Sequence, residues 1–258
     1  MPILSYTEYN IIYNLLSFAI AAMMASFVFF VLVRELVAKH YRIAIIVSAL
    51  VVFIAAYHYF RIFNSFSGAY AFNVSGGDYN PTGKIFNDAY RYVDWILTVP
   101  LLLVELVAVL NLESAKSRSL LIRLIVAALL MIGLGYPGEI SQVIATKTIF
   151  FILSCIPFVY ILYVLWVEIT HSIANQPESV RALVSATRII LVVTWLVYPI
   201  AYLFKMGETV TAFGQVGVQV GYTIADVLSK CFYGLFIFLI AYVKTKYDKK
   251  LEHHEAGQ

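Results

Sequence analysis

The chain has 258 residues, of which 62% are hydrophobic and 13% are charged, and its formal net charge is +3. Soluble domains are nearer half apolar and a quarter charged, so this composition excludes an ordinary soluble fold and indicates an integral membrane protein. The small net charge gives no sign of a nucleic-acid partner. Two cysteines, both inside apolar runs, are too few for a disulfide framework or a cysteine-based metal site.

Apolar stretches near the roughly 20 residues that a helical span requires recur seven times along the chain. Between the second and third of them, residues 68–83 contain Tyr70, Phe72 and Val74 at alternating positions and then Gly76-Gly77, which predicts a short β-hairpin. We therefore predict an all-α membrane protein, a single seven-helix bundle over residues 1–258. The predicted helices are roughly 9–33, 42–66, 85–110, 119–136, 147–170, 179–204 and 214–244.

Basic residues are divided unequally between the two sets of helix ends. One set holds Lys84, Lys147 and Lys205, and the other set holds twelve lysines and arginines. Because positive charge accumulates on the cytoplasmic side of a membrane, we expect the N-terminus and the hairpin outside the cell and the C-terminus in the cytoplasm. The expected location is the plasma membrane.

The third span carries ionisable side chains at membrane depth. A charge there is costly, so each of these residues is a candidate for a functional role. At about 100° of rotation per residue, its polar side chains all lie within about 60° of Asp94 on one helical face. These side chains are Arg91, Asp94, Thr98 and Glu105. Glu105 lies about 16 Å from Asp94 along the helix, toward the cytoplasm. A polar stripe that only holds helices together is the alternative, but two carboxylates spread along a span are costly for that purpose.

The seventh span carries Asp226 and Lys230, which are four residues apart and therefore neighbours on one helical face. A structural ion pair is one interpretation of this spacing. The other is that a desolvated lysine titrates as a neutral amine and forms a Schiff base with an aldehyde. A protonated Schiff base needs counterions, and Asp226 on its own helix and Asp94 across the bundle would supply them.

Three segments together resemble the microbial rhodopsins, and the resemblance covers essentially the whole chain. They are Arg91-Tyr-Val-Asp-Trp-Ile-Leu-Thr-Val-Pro-Leu101 with Glu105 beyond it, Trp195-Leu-Val-Tyr-Pro-Ile-Ala-Tyr202, and Asp226-Val-Leu-Ser-Lys230. Residues 57–63, 135–139 and 160–165 further resemble the xanthorhodopsin and Gloeobacter-rhodopsin branch, which is close to the proteorhodopsins.

The resemblance implies a light-driven outward proton pump with all-trans retinal bound to Lys230 as a protonated Schiff base. By motif position, Asp94 matches the proton acceptor, Thr98 the hydroxyl beside it and Glu105 the cytoplasmic proton donor. Sodium and chloride pumps of the family carry different residues at these three positions, and sensory members usually lack the donor carboxylate. Inward-pumping members usually lack the carboxylate that Asp226 provides here.

The resemblance also implies a retinal pocket. An aromatic stripe in an anonymous chain is more often plain core, but the flanking motifs favour a pocket here. Its expected members are Trp95, Trp195, Tyr198 and Tyr202 around the polyene, Met131 and Gly135 near the ring, Leu102 at a colour-tuning position where leucine indicates green absorption, and Pro199, which leaves a kink site in the sixth span.

Three further residues carry expectations from the family. A histidine at the position of His58 hydrogen-bonds the primary counterion in related rhodopsins, so we expect His58 to pair with Asp94. We expect Arg91 to place positive charge on the extracellular side of the two counterions. Phe151 stands where carotenoid-binding members have a glycine that opens a window to the retinal ring, so we expect no carotenoid antenna.

The expected partners are protons, as the transported ion, and membrane lipids. Family members often form trimers or pentamers, so a homo-oligomer is expected as well. We expect no signalling domain, no transducer and no metal. The alternative within the same fold is a sensory photoreceptor, and a more distant one is a seven-helix transporter without retinal, which any visible chromophore would exclude.

Overall fold

The computed structural model describes residues 1–110, 114–204, 206 and 210–256, so Lys205 of the charge argument lies outside it. Within these residues, seven spans are long and apolar enough to cross a membrane, which confirms the predicted seven-helix fold. The helices are α1 (Tyr6–Val33), α2 (Arg42–Ala69), α3 (Tyr90–Leu110), α4 (Ser114–Ile140), α5 (Ile144–Ala174), α6 (Glu178–Leu203), α7 (Ala212–Asp226) and α8 (Tyr233–Ala256). Helices α7 and α8 form one seventh span, joined by a π-helical turn at Val227–Phe232.

The predicted hairpin between the second and third spans is present and gains a third strand. Strands β2 (Tyr70–Asn73) and β3 (Asp78–Pro81) pair antiparallel, and β1 (Leu4–Ser5) pairs with the other edge of β3. A two-residue strand is too short to show periodicity in the sequence, so β1 could not be predicted. The sheet lies at one end of the bundle. We call the bundle half nearer to it the hairpin half and the opposite one, where α8 ends, the tail half.

The third helix begins at Tyr90, five residues later than predicted. Gly83 has a φ of +87°, which a regular α-helix does not contain. Asn87 follows it and makes two hydrogen bonds, one through its side chain and one through its backbone N–H, that are not helical. Its Oδ1 accepts from the backbone N–H of Ala89 at 3.2 Å, and its own N–H donates to Ser65 Oγ at 2.8 Å. Asparagine side chains that bond nearby backbone in this way compete with helix formation.

Burial separates the spans into a central group and an outer group. In α2, α3 and the seventh span, 61% of the most apolar window is buried, against 22% in α1 and α5. Lipid solvates the outer helices, and each helix satisfies its own backbone hydrogen bonds, as a bilayer requires. Two of the three central spans, α3 and the seventh, are also those that carry the intramembrane charges of the sequence.

Candidate functional site

Lys230 lies inside the bundle on the π-helical turn, with 2% of its surface exposed. The sequence predicted a regular helix at this place. A π turn inserts an extra residue into the helical ladder and is frequent at functional sites. The Nζ atom donates to Asp94 Oδ2 at 2.8 Å and to Asp226 Oδ1 at 2.6 Å. The predicted counterions therefore both contact the amine.

Asp226 is surrounded by donors on both carboxylate oxygens. Besides the lysine, Oδ1 accepts from the hydroxyl of Tyr198 at 2.5 Å and from Trp95 Nε1 at 3.2 Å. Oδ2 accepts from the hydroxyl of Tyr59 at 2.7 Å and lies 3.6 Å from Arg91. Donors on every side stabilise the ionised form of a buried carboxylate.

Arg91 connects this cluster to the hairpin end of the bundle, and 1% of its surface is exposed. Its guanidinium donates to Tyr59 Oη at 2.8 Å, to Gln219 Oε1 at 2.8 Å and to Asp88 Oδ1 at 2.9 Å. Gln219 Nε2 in turn donates to Asp88 Oδ2 at 3.0 Å. The positive charge expected beside the counterions is therefore fixed from three sides.

Asp94 is bonded far less completely than Asp226. Its Oδ1 is buried and, within the described residues, has no hydrogen-bond partner, and the same holds for Nδ1 of His58. The expected bond from His58 to Asp94 is thus not formed, because the stronger, charge-assisted bond to Lys230 orients the carboxylate. The hydroxyl of Thr98 donates to the backbone carbonyl of Asp94 at 2.9 Å, one turn back along α3, and not to the carboxylate.

Glu105 lies on the same face of α3 in the tail half, with no exposed surface. Its Oε2 is hydrogen-bonded to the hydroxyl of Ser48 on α2, and its Oε1 is buried without a partner among the described residues. Burial of a carboxylate beside a single hydroxyl is costly, so the surroundings favour a neutral, protonated carboxyl. Sequence reasoning missed Ser48, although a lone hydroxyl in the run Ile45–Val51 was an available signal.

A cavity beside Lys230 is walled by α3, α4, α5, α6 and the seventh span. All the residues expected in the pocket line it: Trp95, Leu102, Met131, Gly135, Trp195, Tyr198, Pro199, Tyr202 and Lys230. The sequence did not predict several other wall residues, namely Tyr92, Val99, Ile132, Ser154, Cys155, Phe158, Tyr222 and Ser229. Helix α6 continues through Pro199 to Leu203.

The wall fits a long apolar molecule that carries an aldehyde at one end. Lys230, Ser229 and the hydroxyl of Tyr198 lie together in one part of the wall, and most of the remaining lining residues are aromatic or aliphatic. At Gly135, a Cβ atom would lie 3.1 Å from the ring of Tyr92 and 3.3 Å from Ser154 Oγ, so a larger residue there would require these side chains to shift. Phe151 also lines the cavity and stacks on Tyr202, with ring centroids 5.3 Å apart. Retinal has the shape and the functional group for such a cavity.

Three partners in the hairpin half were absent from the sequence predictions: Tyr59, Asp88 and Gln219. Tyr59 follows His58 directly, but which of the two faces the carboxylates depends on the rotation of α2 in the bundle. Gln219 lies two turns before Asp226 on the same helix, a spacing that places both on one face. That spacing was the available signal.

A seven-helix bundle with a buried lysine between two carboxylates, beside an aromatic cavity, is the arrangement of a microbial rhodopsin. The family model of bacteriorhodopsin-like proteins matches residues 11–244, and the chain belongs to this family.

Individual relatives place the chain near the proteorhodopsin and xanthorhodopsin branch. It is 32% identical to a green-light absorbing proteorhodopsin of Gamma-proteobacterium EBAC31A08 over 86% of this chain and 82% of that protein. The crystal structure of a thermophilic rhodopsin superposes with a TM-score of 0.92 at 48% identity, covering 96% of this chain and 99% of that one. Xanthorhodopsin, a light-driven ion pump with dual chromophore, gives 0.90 at 49% identity with the same coverage.

Proposed function

We propose that the protein is a light-driven outward proton pump with retinal bound to Lys230 as a protonated Schiff base. One observation carries the proposal: α3 presents two buried carboxyls on one face, one against Lys230 and one isolated from every charge of the described residues. Bound retinal would supply visible absorption and a light-driven change in the orientation and proton affinity of the nitrogen. The similarity to xanthorhodopsin, a light-driven ion pump, supports a pumping activity.

Asp94 is the proton acceptor in this proposal. Its Oδ2 lies 2.8 Å from Lys230 Nζ, which is within proton-transfer distance. Its Oδ1 has no partner among the residues that the structure describes, so protonation of Asp94 breaks few bonds. Asp226 contacts the same nitrogen but would lose bonds from Tyr198, Tyr59 and other donors on protonation. Asp226 therefore stays ionised and holds the nitrogen in place.

Glu105 is the proton donor. It carries its proton in the resting state because no cation of the described chain pairs with it, and it returns that proton to the nitrogen on Lys230 after Asp94 has been protonated. Ser48 holds the carboxyl in place during the resting state. A donor on the opposite side of the nitrogen from the acceptor gives the transport a direction.

The direction follows from how the chain crosses the membrane. We propose that the hairpin half faces outward and the tail half faces the cytoplasm, because twelve basic residues belong to helix ends on the tail side. Asp94 then passes its proton outward past Arg91, and Glu105 is refilled from the cytoplasm.

We further propose that retinal is the single chromophore. Phe151 on α5 packs flat against Tyr202, with the rings 4° from parallel, at the cavity wall. A second polyene in contact with the retinal ring would have to displace this stacked pair. Energy transfer from an added carotenoid to retinal should be absent in the natural chain. Phe151→Gly removes one ring of the stacked pair and is the variant in which such transfer should appear. Transfer in the natural chain, seen in the excitation spectrum of the retinal fluorescence, would contradict this part of the proposal.

Illumination of cells that express the protein, in unbuffered medium, tests the pump directly. We expect light to acidify the medium and a protonophore to abolish the change. The matched control is Glu35→Gln, which removes an exposed carboxylate at the end of the first span and should leave acidification intact. A visible chromophore that turns over slowly without acidification would overturn the pump and favour a sensory photoreceptor.

A further inference from the structure

Lys244 is a buried cation that the pump mechanism does not use. It lies on α8 in the tail half, with 6% of its surface exposed. Its Nζ donates to the backbone carbonyls of Val109 at 3.0 Å and Leu110 at 3.1 Å, and to Gln176 Oε1 at 2.9 Å. The ring of Tyr41 lies 5.1 Å from the same nitrogen. Three acceptors match the three hydrogens of an ammonium group.

The hydrogen-bond partners of Lys244 are two backbone carbonyls and a side-chain amide. No carboxylate of the described residues lies within ion-pair distance of it. Val109 and Leu110 are the last described residues of α3. The helix dipole places partial negative charge toward this end of α3. The two carbonyls therefore supply negative partial charge beside Lys244.

Gln176 brings the connection between α5 and α6 into the same contact. Its Oε1 accepts from Lys244, and its Nε2 donates to the carbonyl of Leu110 at 3.1 Å. Arg181 on α6 donates to the backbone carbonyl of Gln176 at 2.9 Å and to that of Ala174 at 3.1 Å. The connection is thus fastened to both of its own helices and, through one glutamine side chain, to α3 and α8.

This contact lies further toward the tail end of the bundle than the proton donor. Leu110 follows Glu105 by five residues, a rise of about 7.5 Å along α3. On the other side of Glu105, the hydroxyl of Tyr233 on α8 donates to the carbonyl of Leu102 at 2.9 Å. Glu105 is therefore enclosed between two ties from α8 to α3, and the outer tie is the one that includes the α5–α6 connection.

We propose that Lys244 is a positioning residue for proton uptake, a latch that holds the α5–α6 connection against the end of α3 and keeps cytoplasmic water from Glu105. The inference rests on the proposed pump and deepens it. Refilling Glu105 from the cytoplasm requires a water path through the tail end, and Gln176 has to separate from Lys244 and Leu110 to open it. The rate of uptake then depends on the strength of this contact.

Lys244→Met tests the latch, because methionine keeps much of the side-chain length and removes all three donors. The matched control is Lys246→Met, since Lys246 is an exposed lysine of the same helix that lies over the Tyr242 ring at 4.4 Å. After a laser flash, a pH-indicator dye reports proton uptake and the visible absorption reports deprotonation of the chromophore. We expect uptake about tenfold faster or more in Lys244→Met, which is what losing one hydrogen bond to a charged group allows. Chromophore deprotonation, in the hairpin half, should keep its rate, and Lys246→Met should match the natural chain.

Gln176 provides variants that leave the buried charge in place. Gln176→Leu removes the bonds to Lys244 and Leu110 and should also speed uptake. Gln176→Glu loses the bond to Leu110 but keeps a charge-assisted bond to Lys244, so it should speed uptake less than Gln176→Leu. These variants decide the case if Lys244→Met yields no visible band. Unchanged or slower uptake in Gln176→Leu, even with lower thermal stability, would overturn the latch and leave Lys244 a purely structural residue. A natural chain without light-driven proton uptake would instead overturn the proposed pump.

Discussion

The two halves of the α3 polar face treat the same chemical group in opposite ways. In the hairpin half, Asp94 lies 2.8 Å from Lys230, within a cluster in which cations and carboxylates alternate. In the tail half, Glu105 meets one hydroxyl, that of Ser48, and no cation of the described residues. Both carboxyls are buried and on one helical face, so the difference comes from their neighbours and not from depth.

This difference assigns the two roles. A carboxylate beside a cation is stabilised as an anion and is ready to accept a proton, whereas a carboxyl without one keeps its proton until a stronger base appears. The nitrogen on Lys230 is the group from which Asp94 would accept a proton and to which Glu105 would donate one. Breaking either half should therefore stop different steps of the same cycle.

Removing the group between the halves should have the largest effect. Lys230→Ala deletes the attachment point and leaves Asp94 and Asp226 as facing carboxylates without their cation. We expect the visible absorption band to disappear after reconstitution with retinal. Absorption spectra of the purified variant, compared with those of the exposed-lysine variant Lys246→Ala, measure this. A surviving band would contradict the retinal assignment.

Breaking the hairpin half should stop transport while leaving the chromophore. Asp94→Asn removes the acceptor charge, so we expect no light-driven acidification and a shift of the visible band to longer wavelength. Spectra and pH recordings on the same preparation measure both effects. Transport that continues in this variant would mean that another group, such as Asp226, accepts the proton.

Breaking the tail half should slow one step and spare the earlier one. Glu105→Gln keeps the shape of the side chain and removes its proton, so reprotonation of the nitrogen should slow about 100-fold or more. Flash photolysis separates this step from the initial deprotonation, which should keep its rate. An unchanged photocycle would remove Glu105 as donor.

The smallest expected effect sharpens the contrast within the hairpin half. Tyr59→Phe removes the hydroxyl that donates to Asp226 and accepts from Arg91. Loss of a hydrogen bond to a buried charge costs about 1.5–3 kcal/mol, so thermal loss of the visible band should begin a few degrees lower. Tyr57→Phe is the control, because its hydroxyl accepts from Arg61 on the exposed face of α2. Equal thermal stability of the two variants would show that the Tyr59 bond contributes little.

The sequence predicted those features of the structure that depend on hydropathy and on helical periodicity. Span positions follow from the length of apolar runs, and the shared face of Asp94 and Glu105 follows from the rotation of a regular helix. Contacts between helices were not accessible in this way. Ser48 meets Glu105, and Tyr59 meets Asp226, because α2 has a particular rotation in the bundle, which one-dimensional patterns do not encode.

Local departures from regular structure were also beyond the sequence pattern. The π turn at Val227–Phe232 has the same apolar composition as the helix around it. The late start of α3 depends on a hydrogen bond between Asn87 and Ser65, which are 22 residues apart. The resemblance of the motifs predicted the pocket residues. The expected hydrogen bond between His58 and Asp94 is not formed, which shows that the position of a residue in a motif does not determine its side-chain contacts.

The order of proton transfers is the most direct test of the account. Time-resolved infrared difference spectroscopy follows the carboxyl stretching bands of Asp94 and Glu105, assigned with Asp94→Asn and Glu105→Gln. We predict that a protonated Asp94 band appears together with deprotonation of the nitrogen on Lys230, and that the Glu105 band is lost later, as the nitrogen is reprotonated. Loss of the Glu105 proton before Asp94 gains one, or no change at Glu105, would contradict the assignment of acceptor and donor to the two halves.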